Sequence, residues 1–218
     1  RFLPVRKFKY TARRNRASLV AWPYIQKSRH LRLFPLLLFI IVSVEICLTF
    51  FKEQFDFYNS IIYNVQVPLQ HLLYLYILYL ALERKMARRI ILLSSGIFLV
   101  VTIVTTIFFT QGNRINTISY CTGSIFIIIG ILMKFHEMLQ NPSEFNFLRN
   151  PFFYMLFAFL LFNVGTLPYF TMGNWLYYSL ERKDILIVLI NVMSIFNCVL
   201  YGTYSMAFTW IILRKESF

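Results

Sequence analysis

Apolar residues in this chain come in long unbroken runs, not at alternate or heptad positions. Six runs occupy Leu33–Phe51, Ser60–Leu82, Arg89–Thr110, Asn116–Phe135, Pro151–Met172 and Asp184–Leu213. A hydrocarbon layer about 30 Å thick takes about 20 helical residues to cross. Outer-membrane strands would instead alternate apolar and polar residues over about ten positions. Inside a bilayer the backbone must satisfy its own hydrogen bonds, which continuous runs of this length do as helices. The pattern therefore predicts an all-α fold: a polytopic membrane bundle of six transmembrane helices over residues 33–213. A basic head, residues 1–32, precedes it, and a short tail, residues 214–218, follows. Within the head, ASLVAWPYIQ (17–26) is too short to span and suits the interface, with Trp22 and Tyr24 at headgroup depth. Residues 136–150 carry turn chemistry at Asn141-Pro142-Ser143-Glu144, and Pro151 suits a first helical position.

Composition agrees with this reading. The chain is 58% hydrophobic and 14% charged, against about 25% charge in an ordinary soluble domain. The net charge of +13 is unevenly distributed, with ten of the 22 Lys and Arg residues in positions 1–32. A basic segment directly before a span meets anionic lipid first, so Arg13, Arg14, Arg16, Lys27, Arg29 and Arg32 are candidate headgroup contacts, and nucleic acid is not an expected partner. Cytoplasmic connections collect Lys and Arg. With the head inside, residues 83–89, 134–150 and the tail add eight basic residues on that side, against four in the other connections (Lys52, Arg114, Arg182 and Lys183). Both termini are therefore expected in the cytoplasm, in a multi-pass protein of the inner (cytoplasmic) membrane. The chain begins at Arg1 rather than Met, which leaves open an upstream segment.

Polar side chains inside the runs are the candidates for function, because each costs free energy in hydrocarbon. Glu45 is the acidic residue well within a run, roughly 9 Å below the outer end of the first. Gln66 matches that depth in the second run, with Gln70 and His71 deeper. Asn163 sits in the middle of the fifth run and Asn191 roughly 10 Å into the sixth. Together these six residues define a candidate ligand or proton site in the outer half of the bundle. The plainer alternative is interhelical hydrogen bonding, worth about 0.6 kcal/mol per contact. Pro68 and Pro168 can kink their helices. Gly123 and Gly130, seven apart, permit close helix packing. No catalytic constellation is visible, and no cofactor is expected. His136-Glu137 begins like a zinc-protease helix, but Gln140 stands where the second histidine belongs, so no metal site is expected. Cys47, Cys121 and Cys198 fall in apolar runs and suit buried thiols.

Four stretches resemble a family of small, uncharacterised multi-span proteins of Bacteroidota, often encoded beside sensor histidine kinases. They are AWPYIQKSRHLRLFPLLLFIIVSVE (21–45), NVQVPLQHLLYLYIL (64–78), RNPFFYMLFAFLLFNVGTLPYF (149–170) and NVMSIFNCVLYGTYSMAF (191–208). That family usually has another span before the Pro-basic turn, where this chain is too charged to cross. The resemblance implies a signalling or accessory role and carries over no catalytic residue.

Three functions are therefore expected, in order. The first is a sensory or accessory signalling module, acting on a membrane or cytoplasmic partner such as a sensor kinase. The second is a small proton-coupled transporter or channel subunit using Glu45. The third is a structural subunit of a larger membrane complex. An intramembrane enzyme fits least, because it would need several reactive groups at one depth.

Overall fold

The computed structural model describes residues 31–50, 58–108, 115–140, 150–178 and 183–214. These form six α-helices: α1 (Leu33–Phe50), α2 (Tyr58–Ala81), α3 (Lys85–Phe108), α4 (Thr117–Gln140), α5 (Pro151–Tyr178) and α6 (Lys183–Arg214). Four helical stretches are long and apolar enough to cross a membrane: Lys85–Phe108, Thr117–Gln140, Pro151–Gly173 and Asp184–Leu213. The apolar stretch Leu33–Val44 is shorter. In α2 the residues Asn64, Gln66, Gln70 and His71 dilute the apolar run. The all-helical expectation and four membrane-length helices are thus in place.

Successive helices run antiparallel. Asn116, at the start of α4, bonds Thr105 and Thr106 near the end of α3 and Asn64 near the start of α2. At the other end, Glu137 of α4 bonds the backbone of the α2–α3 connection. Phe135 late in α4 meets Phe153 early in α5, and Tyr154 early in α5 meets Trp210 late in α6. Phe34 at the start of α1 lies edge-on to Phe152 and Tyr204, which puts α1 against the α5–α6 pair at that same end.

Helix α4 is the hub, packing on α2, α3 and α5. Its buried positions recur every three or four residues from Ser119 through Gly123, Ile127, Gly130 and Lys134 to Glu137, one continuous stripe of a helix. Both of its glycines sit where neighbouring side chains press in. A Cβ on Gly123 would lie 2.8 Å from the Phe98 ring and closer still to the His71 ring. One on Gly130 would lie 2.8 Å from Ile91 and 2.9 Å from Leu78. The core is completed by Leu37, Leu38, Leu75, Leu78, Ile131, Met155 and Phe208, all essentially inaccessible.

Three boundaries differ from the sequence expectation. Helix α3 begins at Lys85, so most of residues 83–89 are helical; α4 continues to Gln140, so residues 134–140 are helix and not loop; and α5 runs past Met172 to Tyr178. For α4 the cause is a polar helix end: Lys134, His136 and Glu137 ended the apolar run, but Lys134 and Glu137 continue the three-four spacing of the α4 stripe.

Candidate functional site

The polar residues of α2, α4 and α5 meet in a layer near the ends of α4 and α3 that Asn116 joins. Its centre is His71, 5% exposed. The His71 ring stacks at 5.7 Å on Phe98 and lies edge-on at 5.2 Å to Tyr120. Its Nδ1 donates to the Val67 carbonyl at 2.8 Å. A carbonyl only accepts, so Nδ1 carries the proton and Nε2 is left to accept from the Ser124 hydroxyl at 3.5 Å. Gly123 leaves the space that admits the ring.

From Tyr120 the layer continues into α5. Thr166 donates to its own helix at Phe162 O, 2.8 Å, so the Tyr120 hydroxyl is the donor to Thr166 Oγ1, also 2.8 Å. Tyr120 also stacks on Phe170. Asn163, 2% exposed, lies three residues before Thr166, and its Nδ2 donates to Phe159 O at 2.8 Å. Nearer the helix ends, Thr102 and Ser119 share a hydrogen bond of 2.7 Å, and Asn116 Oδ1 accepts from Ser119 N, capping α4.

Of the six residues proposed from sequence, the structure buries Gln66, His71 and Asn163 in the bundle. The last two are joined through Tyr120 and Thr166. Gln70 is half-buried. Asn191 is exposed on α6, away from the others, so the layer does not include it. The Glu45 side chain lies outside the described residues. So do Arg13, Arg14, Arg16, Lys27 and Arg29 and the interfacial segment 17–26, while Arg32 is exposed. Gln66 Oε1 is buried with no hydrogen-bond partner among the described residues. A buried unsatisfied amide oxygen costs about 1–3 kcal/mol, so it marks a position where a donor would bind. Elsewhere among the described residues of the layer each buried side-chain polar atom has at least one hydrogen-bond partner, including the Ser124 hydroxyl that faces His71 Nε2. Among the described residues no group of three or more His, Cys, Asp or Glu is placed to hold a metal ion.

A second polar cluster, at the opposite end of α4, was not foreseen. Glu137, 7% exposed, accepts the backbone N–H groups of Glu83 at 3.0 Å and Arg84 at 2.9 Å. Its carboxylate thereby satisfies two donors just before α3 and complements the positive end of that helix. Lys134 lies 3.5 Å from Glu83 and 3.8 Å from Glu137. Arg84 donates to Gln140, and Arg88 donates to Leu82 O at 2.6 Å while lying over the Tyr79 ring. The signal was present in the sequence, since Lys134 and Glu137 extend the register of Gly123 and Gly130.

Helix α6 presents a different surface. Asn191, Ile195, Cys198, Gly202, Met206 and Thr209 follow one another at three- and four-residue steps and all are exposed. Cys198, expected to be buried, is on this face. Thr209 bonds its own helix at Ser205 O, which silences a hydroxyl in an apolar medium. The Asn191 amide has no such partner among the described residues. No protein-family model, no curated protein and no solved structure matches this chain.

Proposed function

We propose that the chain is an accessory subunit of a membrane assembly, crossing the inner membrane six times with both termini in the cytoplasm, and that it works by binding and not by catalysis. The observation that carries this is α6. Only 6% of its span-length window is buried within the chain, against 44% for α4. Its exposed face nevertheless holds an asparagine amide at hydrocarbon depth. Polar groups within a span ordinarily face protein or a water-filled cavity, and small residues such as Gly202 let a second helix approach closely. The partner is thus a membrane helix of another subunit, consistent with the accessory or signalling role that the Bacteroidota resemblance implies.

The test compares two glycines. Gly96 and Gly202 are both open to the outside, with nothing within 4 Å of an added Cβ. Each is changed to Leu, and the chain is released from native membranes in mild detergent for native mass spectrometry. Wild type and Gly96→Leu are expected in a complex larger than the monomer, and Gly202→Leu as the monomer. A monomeric wild type would contradict the reading.

A second reading, a small-ligand or proton site, is favoured by the unpartnered Gln66 oxygen. Depth along the sequence matches Gln66 with Glu45, and a protonated Glu45 or a ligand N–H would satisfy that oxygen. Replacing Gln66 by Leu stabilises the chain if the site is empty in function, and lowers ligand binding or proton-coupled uptake if it is used.

A further inference from the structure

Between the first turns of α3 and the last turns of α4 runs a surface groove of about 420 Å³, within the range of about 300–1,000 Å³ typical of small-ligand sites. Its floor and walls are apolar: Met86, Ile90, Ile129, Leu132 and Met133. Along α4 it extends from Ile129 to Glu137, roughly 12 Å. Its deep part therefore lies in the hydrocarbon layer crossed by α3 and α4, and its mouth lies at the helix ends.

The mouth is cationic. Arg84 lines it, and Lys85 and Arg89, exposed and one turn apart on α3, are each next in sequence to a residue that does. The acidic groups nearby are already engaged. Both Glu137 oxygens accept backbone N–H groups, and Lys134 lies between Glu137 and Glu83. Gln140 donates to His136 Nε2 at 2.8 Å and accepts from Arg84, which holds the guanidinium over the groove. A guanidinium has five N–H donors, so one bond to Gln140 leaves others for a phosphate.

An apolar trough that opens under a basic rim, between two helices of span length, complements one class of molecule. Basic pockets between transmembrane helices bind anionic headgroups, and the surrounding bilayer supplies the acyl chain. We propose that the α3–α4 groove holds one anionic phospholipid. Its phosphate sits at Arg84 with Lys85 and Arg89 beside it, and an acyl chain lies along Met86, Ile90, Ile129 and Leu132. The leaflet follows from the cytoplasmic placement of this end; the site itself does not depend on it. Nor does it depend on α6, so its failure and the failure of the subunit reading are separate results.

The full chain, purified in nonionic detergent, is titrated with dioleoyl phosphatidylglycerol or dioleoyl phosphatidylcholine and followed by native mass spectrometry. One phosphatidylglycerol is expected to stay bound, with at least about tenfold preference over phosphatidylcholine, since each Lys or Arg near an anionic headgroup is worth about fivefold. Arg84→Gln lowers retention about fivefold, and Arg89→Gln does likewise. Leu132→Trp, which fills the groove from an exposed position, abolishes retention with the basic rim intact. Gln140→Leu breaks the same side-chain bond as Arg84→Gln but keeps the charge, so it loses less lipid than Arg84→Gln. Neutralising Arg13, Arg14 and Arg16 in the head leaves retention unchanged. Equal binding of the two lipids, full retention in Leu132→Trp, or loss in Gln140→Leu equal to that in Arg84→Gln would overturn the proposal.

Discussion

The outer faces of α3 and α6 differ although both helices are long and apolar enough to cross a membrane. On α3 the exposed residues from Ile90 to Val104 are aliphatic: Ile90, Leu92, Leu93, Ile97, Leu99, Val100, Ile103 and Val104, with Gly96 among them. Such a surface is at rest in lipid. On α6 the exposed face mixes Ile187, Val188 and Ile195 with Asn191, Cys198, Gly202 and Thr209. The contrast is one of chemistry and not of hydropathy, because both runs are strongly apolar on average. A helix can be apolar enough to insert and still carry a face that lipid solvates poorly. That face then calls for another helix.

The comparison holds only if α3 is locked with its aliphatic side outward, and the largest expected effect tests that lock. Glu137→Ala removes the carboxylate from two backbone N–H groups and from Lys134. Removing one partner of a buried charged pair costs about 3–5 kcal/mol, so a large fall in thermal midpoint in detergent is expected. An unchanged midpoint would release α3 from its assigned orientation. Next is Gly123→Leu, whose side chain would meet the His71 and Phe98 rings. Overpacking costs about 1–3 kcal/mol or more, with the loss read as a lower thermal midpoint, while Gly96→Leu and Gly202→Leu leave the isolated chain within about 0.5 kcal/mol.

Smaller again is Asn191→Leu. An interhelical hydrogen bond in a membrane is worth about 1–2 kcal/mol in model peptides, so the assembly should weaken by about five- to thirtyfold on dilution in detergent. The isolated chain should keep its stability, and a destabilised monomer would place Asn191 inside the bundle after all. The smallest effect is Thr166→Val, which takes away the acceptor of the Tyr120 hydroxyl. About 0.6 kcal/mol is expected, matched by Tyr120→Phe and not additive with it in a double-mutant cycle.

Much of this architecture was legible beforehand. The apolar runs located the helices, and the spacing of Gly123 and Gly130 marked the close packing of α4. Burial of Gln66, His71 and Asn163 fits the cost of polar groups in hydrocarbon, and His71 and Asn163 share the Tyr120–Thr166 layer. Depth alone, however, grouped Asn191 with residues it does not meet. Depth fixes height along a helix but not its rotation, and α6 turns Asn191 outward. The ion cluster at Lys134 and Glu137 was missed for a related reason: charge looked like the end of a helix, whereas backbone N–H groups waiting before α3 made a buried carboxylate favourable. Hydropathy averages also could not separate the α3 face from the α6 face, because they discard which side each residue occupies.

The most direct measurement places a photo-crosslinking amino acid at Gly202 of α6 and, in a second sample, at Val100 of α3, with irradiation in native membranes. The account predicts a discrete protein adduct from position 202 and lipid adducts alone from position 100. Lipid adducts alone from both positions would contradict it.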